Sequence, residues 1–333
     1  MLSVRSLTLC GHIVIRGISM EKSLKKIPIK VAHYGRFDPR VRTGGVETFA
    51  RNLQIVFEEV EFLTPEAQNL DAIIASKTPV ICDNQMVSDW PEDFPVIGFQ
   101  HGVAAVKSSR TKSWTDRKLA KAQAKAAKRP NTYWVACARW IGRTFAELHG
   151  NAADKVVYHQ VDIEKFDGLL NNASSKLVLH DGRSEHKGKK LFAHLVKKLP
   201  EWRFETLNCK PEDVPDRMRE AAAFLHLSRY EGNSIVCNEA MAMNLPCLFT
   251  KVGLMNDGEP LDVSIVESEA VYGKKDQLVE TVSQFLDGLS ERKYSPRDWT
   301  MQNATPDAHV NAWREVMVEF GERFDFKDLA SLA

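Results

Sequence analysis

Short apolar runs and helical patterns alternate along this chain in two successive blocks, and that alternation constrains the fold more than any other feature. In the first block, IKVAHYGRF, VEFLT, DAIIAS, PVICDN, FPVIGFQ and NTYWVAC read as strands, and KVVYHQV closes the block. GGVETFARNLQIVF is helical, with Val46, Phe49, Leu53 and Phe57 on one face, and ARWIGRTFAELHG is a helix closed by Gly150. A polar break, NNASS at 171–175, separates the blocks. KLVLHDGR, WRFETLN, AFLHLS and PCLFT then read as strands. GKKLFAHLVKKL, PDRMREA, SIVCNEAMAM and the C-terminal DAHVNAWREVMVEFGERF read as helices. Strands joined through helices lie parallel, so the expected fold is α/β, with two open, mainly parallel sheets covered by helices. Such sheets bind ligands beyond the carboxyl ends of their strands, and two of them facing each other enclose a cleft.

The length of 333 residues fits two domains of ~150 residues each. The expected boundaries are 1–28 (a tail or upstream extension), 29–168, 169–300, and a last helical segment, 301–333. LTLCGHIVIRGI, near the start, is too short to span a bilayer and is interrupted by His12 and Arg16. It lacks a small-residue cleavage site, and Met20 offers a second beginning. A net charge of +1 excludes overall steering to nucleic acid or membrane. The six cysteines are scattered without a C-x-x-C pair and read as reduced thiols of a cytoplasmic protein. No G-x-G-x-x-G follows the first strand, which disfavours a nicotinamide dehydrogenase.

The chemistry concentrates in SRYEGNSIVCNEAMAMNLPCLFT, Ser228–Thr250. A strand ends near Ser228, and Asn233 or Ser234 is a suitable N-cap for the next helix. The free N–H groups of that helix suit a phosphate. Asn244 falls where a left-handed helix end is wanted, and Pro246 blocks continuation. Glu231 lies on the loop and Glu239 about two turns into the helix.

This stretch resembles the E-x7-E signature of retaining GT-B glycosyltransferases of family four, the glycosyl transferases group 1. The resemblance implies two Rossmann-like domains, with the acceptor on the first and a nucleotide-sugar donor on the second. It implies that Glu239 takes the ribose hydroxyls, for which a carboxylate is a strong double acceptor. Glu231 would lie beside the transferred sugar, and Gly232, Asn233, Ser234 and Ile235 would contact the donor. The chain departs from the family pattern at Asn244, where glycine is usual, and at Cys247, where valine is.

TGGVETFARNL resembles the family's glycine loop, with Gly44 and Gly45 free to adopt positive φ near the donor phosphates. FQHG resembles the strand ending in His-Gly, which implies that His101 contacts the transferred sugar. WVACARWIGRTF has Ala138 near the family's serine, and VVYHQVDIEKF has His159-Gln160 in place of Asn-Gly. LHDGRSEHKGKKL resembles the G-R-x-x-x-x-K-G element, one residue shorter, so Arg183 and Lys187 would hold the departing diphosphate. No D-x-D and no metal-ligand spacing occur in the sequence. Leaving-group stabilisation by Arg, Lys and a helix end, without metal, is therefore expected. One such donor is typically worth ~3–4 kcal/mol.

The expected activity is a retaining sugar transfer from a UDP- or GDP-linked donor to a glycan, glycolipid or small molecule, with no cofactor. A nucleotide-sugar epimerase or hydrolase of the same fold, or a non-catalytic sugar-nucleotide-binding protein, is the alternative. Residues 107–129 carry nine Lys/Arg and one acid, Asp116, on Ala-rich helical spacing. That helix could make weak peripheral contact with an anionic membrane, or be a solvated basic face. With little aromatic interleaving, nucleic acid is not expected.

Overall fold

The computed structural model describes residues 25–66, 69–172 and 175–332. Of the expected tail, residues 1–24 lie outside the described residues, and the first strand begins at Ile27.

The first unit is a six-stranded parallel sheet of β1 (Ile27–Tyr34), β2 (Phe57–Leu63), β3 (Val80–Asp83), β4 (Val96–Gln100), β5 (Thr132–Ala136) and β6 (Lys155–Val156). Its strand order is β2-β1-β3-β4-β5-β6. The helices are α1 (Gly45–Val56), α2 (Leu70–Ala75), α3 (Ala104–Thr111), α4 (Trp114–Ala126) and α5 (Arg139–His149). The second unit is a five-stranded parallel sheet of β7 (Leu177–His180), β8 (Arg203–Thr206), β9 (Ala223–His226), β10 (Cys247–Thr250) and β11 (Ser264–Val266). Its order is β11-β10-β9-β7-β8. Around it lie α6 (Lys189–Lys198), α7 (Val214–Arg219), α8 (Ile235–Ala242), α9 (Ser268–Gly273), α10 (Lys275–Asp287) and α11 (Arg297–Asn303). α12 (Pro306–Phe324) and α13 (Lys327–Ala330) end the chain. The central strands β3, β4, β5, β7, β9 and β10 are buried along their whole length, as both faces of a parallel sheet are covered by helices.

α12 leaves the second unit and packs on the first. Its Val310, Trp313, Val316, Met317 and Phe320 join Phe49, Leu53 and Phe57 in one core. Trp313 stacks on Phe99 with centroids 5.8 Å apart. Thr305 caps this helix by accepting from the Ala308 N–H at 3.1 Å. Arg297 in α11 anchors the connection by donating to the carbonyls of Phe166 and Ala242.

Several local expectations are corrected. DAIIAS is α2, not a strand: Leu70, Ile73 and Ile74 sit at helical spacing, and Ile73 is the buried one. Phe57 begins β2 instead of ending α1. KVVYHQV pairs only at Lys155–Val156, because the chain then crosses to the second unit. The basic segment is two helices, broken at Lys112 (φ 55°). Ser113 opens the second by accepting from the Asp116 N–H. Four described cysteines are buried as free thiols, but Cys209 is exposed.

Trp313→Ala removes the largest fully buried side chain of the returning helix. Urea unfolding should show a loss of about 3–5 kcal/mol. A loss below 1 kcal/mol would mean that the helix does not pack there in solution.

Candidate active site

The loop after β9 is pressed against the first unit. A Cβ built on Gly232 would lie 1.8 Å from the His101 carbonyl oxygen, so no larger residue fits without separating the units. Around that approach, Tyr230 Oη accepts from the Val103 N–H at 2.7 Å. Trp140 Nε1 donates to the Gly232 carbonyl at 2.8 Å, and Asn233 Nδ2 to the Cys137 carbonyl at 2.9 Å. Asp257 adds a second clasp from the second unit: it accepts from the N–H groups of Arg139 and Trp140 at 2.9 and 2.7 Å. It thereby caps α5, whose own N-cap position is Ala138 and offers no side-chain acceptor. Gly232 and Asn233, expected at the donor, thus have protein partners across the cleft.

Behind this loop lies a buried charge cluster at the carboxyl ends of β7 and β9. Asp181 accepts from His226 Nδ1 at 2.7 Å and from Lys187 Nζ at 2.6 Å. Glu231 Oε1 lies 3.3 Å from Lys187 Nζ and 3.4 Å from His226 Nε2. Burial opposes ionisation of all four groups, but the opposite charges win. The two carboxyls are held below their ordinary range, and the His226 imidazole and the Lys187 ammonium above theirs. Asp181, His226 and Glu231 lie close enough together to resemble a metal-ligand set. Lys187 already sits between the two carboxylates, so an entering cation would have to displace its ammonium.

The first sheet carries a matching cluster. His33 Nε2 and His101 Nε2 both approach Asp83 Oδ1, at 3.1 and 2.8 Å, from the ends of neighbouring strands. Burial would raise the Asp83 carboxyl, but the two histidines hold it well below the carboxylate range. His101 is also placed by Phe49 edge-on at 4.8 Å and by His159 stacked at 5.9 Å. His159 is kept neutral by burial and by the neighbouring histidines. Sequence reading singled out His101 but missed Asp83, His33, Asp181 and His226. Their position at strand ends was the available signal.

Glu239 is in the second turn of α8, half-buried, and makes no side-chain hydrogen bond or ion pair among the described residues. Burial alone pushes its carboxyl up to about 7. Ser234 occupies the N-cap without a side-chain bond, and the Cys237 and Asn238 N–H groups close on its carbonyl. The N–H groups of Ile235 and Val236 are thereby left without intrahelical partners. Asn244 takes the left-handed conformation at φ 58°.

Arg183 is exposed and lines a separate hollow of about 530 Å³ with His180, Gly182, Lys189 and Asn208, so it is not packed against Lys187. Gly44 and Gly45 both lack positive φ; Gly44 is extended at φ −178°, which any residue adopts. Between the units, a cavity of about 260 Å³ is lined by Arg110, Trp140, Arg143, Tyr230, Glu231 and Asn256.

The family described as glycosyl transferases group 1 matches residues 151–287. The fold is similar to that of sucrose-phosphate synthase from Thermosynechococcus elongatus (TM-score 0.69, 12% identity, covering 92% of this chain and 100% of that one). It is also similar to HepE of Anabaena in complex with UDP (TM-score 0.66, 14% identity, 87% and 100%). A third likeness is to WaaG, a glycosyltransferase involved in lipopolysaccharide biosynthesis (TM-score 0.59, 14% identity, 85% and 99%). At these identities the likeness is one of fold, the GT-B arrangement. No curated protein matches the sequence.

Gly232→Ala tests the clasp. The added methyl meets backbone, which cannot swing aside, so unfolding in urea should show a loss of about 1–3 kcal/mol. Unchanged stability would show that the two units do not meet this closely in solution.

Proposed function

We propose that this chain, which carries the glycosyl transferases group 1 domain on a GT-B fold, transfers a sugar from a nucleotide donor to an acceptor with retention at the anomeric carbon and without a metal. The observation that carries this reading is Glu239: a half-buried carboxylate with no side-chain partner among the described residues, on a helix whose first N–H groups are free. Vicinal ribose hydroxyls would supply the missing donors, and a diphosphate would meet the N–H groups of Ile235 and Val236. HepE has been solved with UDP and with UDP-glucose, which makes uridine nucleotides the first to try here.

In this reading Lys187 and the more distant Arg183 neutralise the leaving diphosphate, and Glu231 and His101 face the transferred sugar. Gly44, at the N-cap of α1, and Gly45, its first residue, lie on the donor side. The acceptor hydroxyl approaches on the leaving-group face. Its oxygen bonds to the anomeric carbon as the bond from that carbon to the phosphate oxygen breaks, and the diphosphate takes the proton. The acceptor, a glycan, glycolipid or small molecule, would enter through the cavity beside Arg110 and Arg143.

We place the protein in the cytoplasm. Among the described residues no helix is long and apolar enough to cross a membrane. Weak electrostatic contact of α4 with an anionic membrane is consistent with its exposed Trp114 and with Lys118, which lies 3.9 Å over that ring. Arg129 would not take part, because it is buried and bonds the Phe94 carbonyl.

A thermal-shift screen with UDP, GDP, ADP and dTDP and their sugars identifies the donor, because a ligand of the native state raises its stability. With that donor, turnover should persist in excess EDTA, and the product should keep the donor's anomeric configuration. Loss of turnover restored by Mg²⁺ or Mn²⁺, or an inverted product, would refute the proposed chemistry.

Glu239→Gln separates binding from folding. With a folded-state value of about 7 against the ordinary 4.5, the native protein holds a proton that the unfolded chain has released between those pH values. This group's contribution to stability therefore falls as pH rises through that window. At pH 8 the glutamine variant should be at least as stable as the parent, with a gain of up to about 3 kcal/mol. It should also lose most of the stabilisation by UDP. Undiminished UDP binding would remove Glu239 from the ribose site.

A further inference from the structure

Two fully buried side chains at the strand ends have no direct part in that transfer. Asp181 and His226 are 1% and 2% exposed, next to Leu179, Leu225 and Leu227, which are equally buried. An apolar pair would fill this place at lower cost than a buried ionic one. The polar pair is instead one side of a closed ring of contacts: Asp181 to His226, His226 to Glu231, Glu231 to Lys187, and Lys187 back to Asp181.

The ring fixes the state of the histidine by geometry. Nδ1 faces Asp181 Oδ1 at 2.7 Å and Nε2 faces Glu231 Oε1 at 3.4 Å. A neutral imidazole has one N–H and would turn a lone pair toward one of the two carboxylates. The imidazolium presents a hydrogen to both, and two cations then match two anions. The Nε2 contact is a charge contact, not an aligned hydrogen bond: Nε2 and Glu231 Oε1 are both buried without a hydrogen-bond partner. Glu231 is therefore held by charge: its buried Oε1 faces both cations without an aligned hydrogen bond. The other groups facing this site are Cys237 in α8, His186 before α6 and Tyr272 in α9, with the Phe249 ring edge-on to His226 at 6.2 Å. Among these, only His186 could add a positive charge.

We infer that Asp181 and His226 are positioning residues: they hold Glu231 anionic and aimed into the cleft, beside Lys187, with His226 as a standing imidazolium. The inference rests on the transferase reading for the roles of Glu231 and Lys187, but the charge state of His226 does not.

Two measurements on the full chain test it. In ¹⁵N NMR of the imidazole side chains, His226 should show both ring nitrogens protonated up to pH 8. A single neutral tautomer there, or titration near 6.5, overturns the inference whatever the protein catalyses. With UDP-glucose as the probe, His226→Gln should bind UDP within about two-fold of the parent and lower kcat at least ten-fold. The acidic limb of its pH–kcat profile should move up by about one unit, as Glu231 loses its cation. A variant whose profile keeps its position while only thermal stability drops would show a merely structural histidine and overturn the positioning role. If the parent itself turns over no nucleotide sugar, the transferase reading fails, and the NMR result still decides the charge state.

Discussion

The contact on which the rest of the structure depends is the approach of the Gly232 backbone to the His101 carbonyl. It brings the carboxyl end of β9 against the carboxyl end of β4, so the active ends of two independent sheets share one cleft. The hydrogen bonds from Trp140, Asn233 and Val103 can form only once that approach is made. Asp257 reinforces it from a second direction by capping α5 across the boundary. Each of these bonds joins a side chain of one unit to a backbone group of the other, so one end of every bond is set by the course of the chain.

Within the cleft, the two glutamates of one short stretch are placed in opposite environments. Glu231 has Lys187 and His226 beside it and is held below the ordinary carboxylate range. Glu239 has no side-chain partner among the described residues, and burial pushes it up to about 7. Environments that drive like groups apart separate their roles. Glu231 is a compensated charge that the protein has already organised. Glu239 is an uncompensated one, whose stabilising partners must come from a ligand. The histidine clusters on Asp83 and Asp181 play comparable parts on the two sides, each fixing an ionised carboxylate at a strand end.

The overall architecture was legible because continuous apolar runs in fully buried strands and amphipathic helices leave strong patterns, and the E-x7-E stretch carries capping and turn residues as well as its carboxylates. Not every short element was legible. α2 has only six residues, too few for Leu70, Ile73 and Ile74 to stand out from an apolar strand. The break at Lys112 depends on a left-handed residue that is neither Gly nor Asn; only Ser113, three residues before Asp116, hinted at a new helix. The site was half legible. Glu231 and Glu239 followed from one local motif and Lys187 from a second, whereas the Asp83 and Asp181 clusters rest on bonds between residues up to 50 positions apart in sequence. Gly232 was noticed for the right loop, but its need for glycine arises from a carbonyl in the other unit, which no local pattern contains.

The central claim is that the open carboxylate of Glu239 and the free end of α8 together form a nucleotide diphosphate site. A crystal structure of the full chain with UDP or GDP, whichever stabilises it more, tests this most directly. The account predicts both ribose hydroxyls within about 3 Å of the Glu239 carboxylate. It also predicts the diphosphate against the N–H groups of Ile235 and Val236, on the Lys187 side of the cleft. A nucleotide bound elsewhere, with Glu239 still unpartnered, would contradict it.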